Sequence, residues 1–356
     1  VGGAILLYCR AGFERECAQE VTSLARAAGV EGYVKARPES GHAAFLPHPV
    51  AADAPFSAGL ALSDFIFARQ LVRDAVLVEG LAAGDRVAPL AAAARALGSR
   101  FRSFVVEMPD TNEGKALASL TRPLAPHLAR ALAKAGVDAR SALAPDRLHF
   151  FFIGSGACFV GRAGVDRSSP WPMGIPRLRM PRGAPSRAAL KLAEALLEFL
   201  GPEGTRRELR PGMTAVDLGA SPGGWSWQLA RHGFRVTAVD NGPMSPAVLE
   251  TGQVKHLRAD GFRYRPRAPV DWMVCDMVES PSRIATLAAR WAREGWCRRS
   301  IFNLKLPMKK RLEEVLGCRE IILGELRGRE PRLRLRQLYH DRAEVTAFLA
   351  LEGKRR

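Results

Sequence analysis

Asp217-Leu218-Gly219-Ala220-Ser221-Pro222-Gly223-Gly224-Trp225 joins a short apolar run, residues 213–216, to a helical stretch through one acid and three glycines. These residue types at this spacing make a nucleotide-type pocket. Glycines let backbone approach a ligand closely, a new helix N-terminus presents free N–H groups, and a carboxylate at a strand end accepts hydroxyl or ammonium hydrogens. The order Gly-x-x-x-Gly-Gly, with Pro222 inside, departs from the Gly-x-Gly-x-x-Gly of dinucleotide loops. Alone, Asp-Leu-Gly and Pro-Gly-Gly also fit plain turns.

Three further apolar runs close on an acid: 235–239 on Asp240, 254–259 on Asp260 and 271–275 on Asp276. Helical stretches such as 282–294 lie between them, so the second half reads as strand, crossover, strand, in a mostly parallel twisted sheet. Ligands bind outside the carboxyl ends of such strands, where Asp217, Asp240, Asp260 and Asp276 are expected. Asp240-Asn241-Gly242 or Asp260-Gly261 alone would be a turn, but four acids in register are harder to dismiss. A last run, 300–304, reaches Lys305 and is halted by Pro307. Alternation puts Ile301, Asn303 and Lys305 on one face. In isolation Lys305 is a strand-end charge leaning into water.

Together, Ala184-Pro185-Ser186-Arg187 with Lys191, the 217–225 loop, Val274-Cys275-Asp276-Met277, Phe302-Asn303-Leu304-Lys305 and Arg342-Ala343-Glu344-Val345-Thr346 resemble the Lys-Asp-Lys-Glu class of FtsJ-like 2′-O-ribose methyltransferases. The segments 7–14, 64–70, 173–178 and 239–244 narrow the likeness to the bacterial 23S rRNA ribose methyltransferase M family. That resemblance implies methylation of a cytidine in the peptidyl-transferase region, with S-adenosylmethionine as cofactor. It puts the catalytic tetrad on Lys191, Asp276, Lys305 and Glu344. It puts the methyl-donor contacts on Ser186, Asp217, Gly219, Ser221, Pro222, Gly223, Gly224, Asp240, Asp260 and Asp276. Ser221 replaces the Cys expected there, and its hydroxyl still forms hydrogen bonds. Lys191 owes its place to the resemblance. By helical period, Arg187, Lys191, Glu194 and Glu198 form a polar stripe opposite Ala189, Leu192, Ala193, Leu196 and Phe199, which reads as a solvated face.

Methyl transfer from a sulfonium to a ribose hydroxyl is an in-line displacement, so alignment supplies much of the rate. A lysine can remove the hydroxyl proton only when neutral, which requires its pKa to fall from about 10.4. A second lysine and partial burial favour that, whereas Asp276 and Glu344 oppose it and are expected to orient the lysines and the hydroxyl. Competing chemistries fit less well. An amine methylase would place Pro-Pro-aromatic after its acid, and Asp276 precedes Met277-Val278-Glu279. A carbon methylase would need a thiolate, and Cys275 falls on the face opposite the strand-end acid, as a buried structural thiol.

The 356 residues suffice for two domains. The 53 Lys+Arg against 36 Asp+Glu give a formal net charge of +17 and a pI near 10.4, which fits a polyanion partner or an arginine-rich proteome. Arg332-Leu333-Arg334-Leu335-Arg336 puts three guanidinium groups on one strand face, and Lys309-Lys310-Arg311 and Lys354-Arg355-Arg356 add charge. None of the six cysteines makes a Cys-x-x-Cys pair or has a histidine at finger spacing, so neither metal nor disulfide is expected. His340 reads as a structural or RNA-contacting residue. No apolar run approaches the roughly 18 residues of a membrane span, and residues 1–8 are short and without a basic leader. A cytoplasmic protein follows.

The first half mixes strands (4–9, 101–108, 148–153) with helices (13–28, 126–135) and reads as an α+β domain. All six tryptophans lie at or after Trp171. The expected organisation is an α+β RNA-binding domain over 1–165, by resemblance of THUMP type, a basic Pro/Gly-rich linker over 166–185, and a Rossmann-like α/β methyltransferase domain over 186–356. The expected partner is 23S rRNA, naked or in a precursor particle, for a monomer needing neither metal nor membrane. Two alternatives stay open. One is a non-catalytic RNA-binding or ribosome-assembly factor that retains the fold. The other is an NAD-dependent oxidoreductase, against which the Pro222 loop argues.

Overall fold

The computed structural model describes residues 3–48 and 56–351. The chain forms two compact units, Val1–Pro176 and Arg177–Arg356. Lys354-Arg355-Arg356 lies outside the described residues.

In the first unit, strands β1 (Ala4–Cys9), β2 (Gly32–Ala36), β3 (His42–Pro47), β4 (Ala68–Val78), β5 (Phe104–Glu107), β6 (Asp146–Gly154) and β7 (Ala157–Gly164) form one sheet in the order β2-β3-β1-β4-β7-β6-β5. Its pairings are antiparallel except β5 with β6. Every residue of β1 is buried, as its unbroken apolar run Ala-Ile-Leu-Leu-Tyr-Cys requires. Helix Glu14–Ala27 buries Cys17, Val21 and Ala25, a four-residue repeat. This is the α+β arrangement read from the sequence. Residues 169–174 are tied into this unit: Gln70 Nε2 donates to the Ser169 carbonyl at 3.0 Å and Met173 N–H donates to Glu107 Oε1 at 2.6 Å.

The second unit contains β8 (Thr214–Leu218), β9 (Arg235–Val239), β10 (Val254–Leu257), β11 (Val270–Cys275), β12 (Cys297–Lys305), β13 (Pro331–Arg336) and β14 (Glu344–Leu351), ordered β10-β9-β8-β11-β12-β14-β13. The first five are parallel, and β14 returns antiparallel between β12 and β13. Strand order reverses between β8 and β11, which opens a ligand crevice at their carboxyl ends. Helix Ala188–Glu208 packs Ala189, Leu192, Ala195, Leu196 and Phe199 into the core with Trp272, Ile301 and Phe348. Gly201, at φ 69°, and Pro202 break it near its end.

Candidate active site

Asp240 directly follows β9 and Asp276 directly follows β11. With Gly219, Ser221, Asn241, Asp260 and Gly261 they line a cavity of about 360 Å³ at the strand ends. Asp240 organises the loop: its carboxylate accepts Ser221 N–H at 3.0 Å and Gly242 N–H at 2.7 Å. Asp260 accepts Phe262 N–H at 2.8 Å. Gly219 is left-handed, at φ 75°, and a Cβ there would run into Met277. The helix Gly224–Arg231 starts at this loop.

Five predicted donor-contact residues, Ser186, Asp217, Pro222, Gly223 and Gly224, do not line the cavity, and Asp217 is the most instructive. Strand β8 extends through Leu218, so Asp217 is inside the strand and 1 % exposed, accepting from Ser226 Oγ at 2.7 Å. Burial pushes its carboxyl up to about 7, against the Ser226 hydrogen bond. The expectation of four acids on one rim is thereby corrected to three. Gly223 and Gly224 serve packing. A Cβ on Gly223 would lie 2.7 Å from Val248 Cγ2, and one on Gly224 would lie 2.5 Å from Ser186 Oγ. The Pro222 carbonyl accepts Ser245 N–H at 3.0 Å.

Lys191, Asp276, Lys305 and Glu344 meet in a charged square. Lys191 Nζ lies 3.3 Å from Asp276 Oδ2 and 2.7 Å from Glu344 Oε2, and Lys305 Nζ lies 2.5 Å from Asp276 Oδ1 and 2.9 Å from Glu344 Oε1. Glu344 is the register partner of Lys305 across β12 and β14, so the antiparallel return carries the fourth member in. Burial alone would lower the pKa of Lys191, but Asp276, Glu344 and Asp341 outweigh it and hold the ammonium above its ordinary range.

Of the stripe expected to be solvated, Arg187 is exposed, whereas Lys191, Glu194 and Glu198 form an interior polar seam. Glu194 is 3 % exposed and accepts Tyr339 N–H, His340 N–H and His340 Nδ1, which makes His340 structural. Glu198 pairs with Arg336 at 3.1 Å, and Arg334 donates to the Phe199 carbonyl at 3.0 Å. Two of the three arginines expected on one strand face, Arg334 and Arg336, are therefore turned onto this helix. Helical period reports a polar face without saying what lies over it. Asn303 was not singled out, yet it bonds both acids of the square.

A larger cavity of about 870 Å³, near Arg207, Arg298 and Arg332, lies at the opposite strand ends and contains none of the predicted site residues. All six cysteines are free and buried, and burial pushes Cys275 up to about 12. Among the described residues no group of three or more His, Cys, Asp or Glu side chains is placed to hold a metal ion. No described helix is long and apolar enough to cross a membrane.

Residues 184–309 match the FtsJ-like methyltransferase family, 3–72 the RlmM ferredoxin-like domain and 85–163 the N-terminal domain of ribosomal RNA large subunit methyltransferase M. The chain is 51 % identical over 350 residues to ribosomal RNA large subunit methyltransferase M of Methylococcus capsulatus, covering 98 % of each chain. The enzyme of the same name from Azoarcus sp. is 50 % identical, over 98 % of this chain and 96 % of its own. The chain belongs to the ribosomal RNA large subunit methyltransferase M family. It is an S-adenosylmethionine-dependent rRNA methyltransferase, as members of that family are. Among solved structures, TrmN from Thermus thermophilus is 18 % identical and covers 98 % of this chain and 99 % of its own, with a TM-score of 0.36.

The residues present fit that cofactor. The cavity falls within the usual range of small-molecule sites, about 300–1,000 Å³. Its wall offers Ser221, Asp240, Asp260 and Asp276 as polar anchors. Among the described residues the buried Ser186 Oγ beside the loop has no hydrogen-bond partner. The polar wall and the unpartnered Ser186 hydroxyl suit a donor with amine and hydroxyl groups to bind.

Proposed function

We propose that this protein methylates the 2′-hydroxyl of a cytidine in the peptidyl-transferase region of 23S rRNA, with Lys191, Asp276, Lys305 and Glu344 as its catalytic tetrad. The observation that carries the reading is the charged square, whose member Asp276 also lines the donor cavity. S-adenosylmethionine supplies an electrophilic methyl group when bound. Ser186, Ser221, Asp240 and Asp260 would hold it, with the 217–224 loop shaping the wall.

Asp276 and Glu344 hold Lys191 as an ammonium, and Lys305, at the carboxyl end of β12, is assigned as the lysine that takes the hydroxyl proton. Asp276 and Glu344 each bridge the two lysines and so fix where Nζ of Lys305 meets an incoming ribose. Such placement is worth more in a site that excludes water. A nucleophilic thiolate is disfavoured, because Cys275 is fully buried and its thiol resists ionisation. The first unit supplies RNA affinity as a THUMP-type module, and the protein works in the cytoplasm as a monomer.

Mapping ribose methylation in 23S rRNA from a strain lacking this gene, with and without complementation, tests the assignment. One lost 2′-O-methylcytidine, restored by the wild-type gene, is expected. An unchanged methylation map would overturn it in favour of a non-catalytic assembly factor.

A further inference from the structure

Two register steps inside the Lys305–Glu344 pair, β12 and β14 place Asn303 opposite Thr346 on the same face. Asn303 is completely buried. Its Nδ2 donates to Asp276 Oδ1 at 2.9 Å and to Glu344 Oε2 at 3.0 Å, so both amide hydrogens go to the two acids of the square. Its Oδ1 lies 2.8 Å from Thr346 Oγ1, which in turn lies 2.6 Å from Asp341 Oδ2.

Counting hydrogens orders this chain. Thr346 has one hydroxyl hydrogen and two neighbouring oxygens to satisfy. Were it given to an Asp341 carboxylate, two acceptors would face each other between Thr346 and Asn303. With Asp341 protonated, Asp341 donates to Thr346, Thr346 to Asn303, and Asn303 to Asp276 and Glu344. Burial, aided by Glu344 and Glu194 and opposed by Thr346 and Lys191, pushes Asp341 up to about 8, which favours this order at neutral pH.

We propose that Asn303 is a positioning residue for methyl transfer, a neutral clamp that fixes the spacing of Asp276 and Glu344 and is itself braced by Thr346 and Asp341. The inference rests on the tetrad reading above. Two half-buried carboxylates side by side repel, and lysine stems are flexible. A planar amide bonded to both acids sets their separation without adding charge, and through them it places both Nζ groups. Asn303 acts through the tetrad and does not itself touch the ribose.

The test uses full-length protein and labelled donor with the target RNA. Thr346→Val keeps the side-chain shape but removes the brace, and is expected to lower kcat by about 10- to 100-fold through misplacement. Donor affinity by calorimetry and KM for RNA should stay at wild-type values. Thr346→Ser should restore most of kcat. Asp341→Asn, whose amide can still donate to Thr346, should lose the alkaline decline expected of the wild type from ionisation of Asp341, read as the ratio of kcat at alkaline to neutral pH. Wild-type kcat in Thr346→Val, or Thr346→Ser as impaired as Thr346→Val, would overturn the clamp. If Thr346→Val does not fold, Asp341→Asn decides: a pH profile superimposable on wild type counts against the proposal. Retained turnover in Lys305→Ala would instead sink the tetrad reading, so the two failures are separable.

Discussion

Lys191 Nζ lies 2.7 Å from Glu344 Oε2 across 153 residues of chain. Helix Ala188–Glu208 delivers the lysine before the sheet begins, and β14 delivers the acid as the last strand inserted into it. Each carboxylate of the square answers two ammonium groups, so neither charge is left uncompensated on partial burial. Both lysines are bridged by the same two carboxylates, which fixes the two Nζ groups relative to each other.

Lys305→Ala should abolish methyl transfer while leaving S-adenosylmethionine affinity within a few fold. A general base contributes roughly 10²–10⁴-fold, and lost alignment of Asp276 adds to that. Single-turnover transfer of a labelled methyl group, with calorimetry on the same preparation, checks both parts. Near-normal turnover would remove Lys305 from the chemistry.

Gly223 sits at φ 112°, and a Cβ there would lie 2.7 Å from Val248 Cγ2 and 2.8 Å from Met244 Cε. The left-handed backbone alone costs a side chain about 1–2 kcal/mol, and Val adds a collision. Gly223→Ala should lower thermal stability and weaken the donor modestly, and Gly223→Val should do both more strongly, by moving the loop away from Ser221. The cause is packing beneath the loop, not obstruction of the ligand's approach. Equal donor affinity in wild type and the Val variant would detach the loop from the pocket.

What the sequence made legible follows from period and punctuation. The parallel strands appear as apolar runs ending near acids, and Asp240, Asp260 and Asp276 stand at the cavity as those runs imply. Asp217 was misplaced because Leu218 continues β8 past the presumed strand end. Lys191 looked solvated because a helical pattern cannot say that β13, β14 and the 337–341 segment lie over its polar side. Asn303 shares a face with Lys305 by simple alternation, but its partners depend on the antiparallel register of β14, which local sequence does not encode.

Asp217 should make stability fall as pH rises. Its folded-state pKa, about 7, exceeds its unfolded value near 3.8, so the folded protein binds the extra proton. That contribution is fully present below the unfolded value and is lost as pH climbs through about 7, with a slope of at most about 1.4 kcal/mol per pH unit. Asp217→Asn should flatten this part of the curve in urea unfolding between pH 5 and 8. A slope identical to wild type would mean that Asp217 ionises as freely in the folded protein as in the unfolded chain.

Removing residues 1–165 should spare donor binding, since the cavity residues all belong to the second unit. RNA affinity should fall, and the lost part should be the salt-sensitive part, because phosphate contacts release counterions. Filter binding of the target RNA over a salt series reads this directly. Unchanged affinity would refute a role for the first unit in holding RNA.

The acceptor atom can be tested without altering the protein. If the square of Lys191, Asp276, Lys305 and Glu344 is built around a ribose hydroxyl, replacing the target nucleotide's 2′-OH by hydrogen removes the nucleophile and leaves every base edge intact. Transfer of a tritiated methyl group should vanish, while binding should largely persist through phosphate contacts. A base methylase would label the single-deoxy RNA as readily as the matched ribo form, because its acceptor would still be present. Binding is measured separately on both RNAs, so loss of label with retained affinity identifies the hydroxyl as the acceptor. Continued incorporation into the deoxy RNA would place the methyl group on a base atom and leave the tetrad without its proposed substrate.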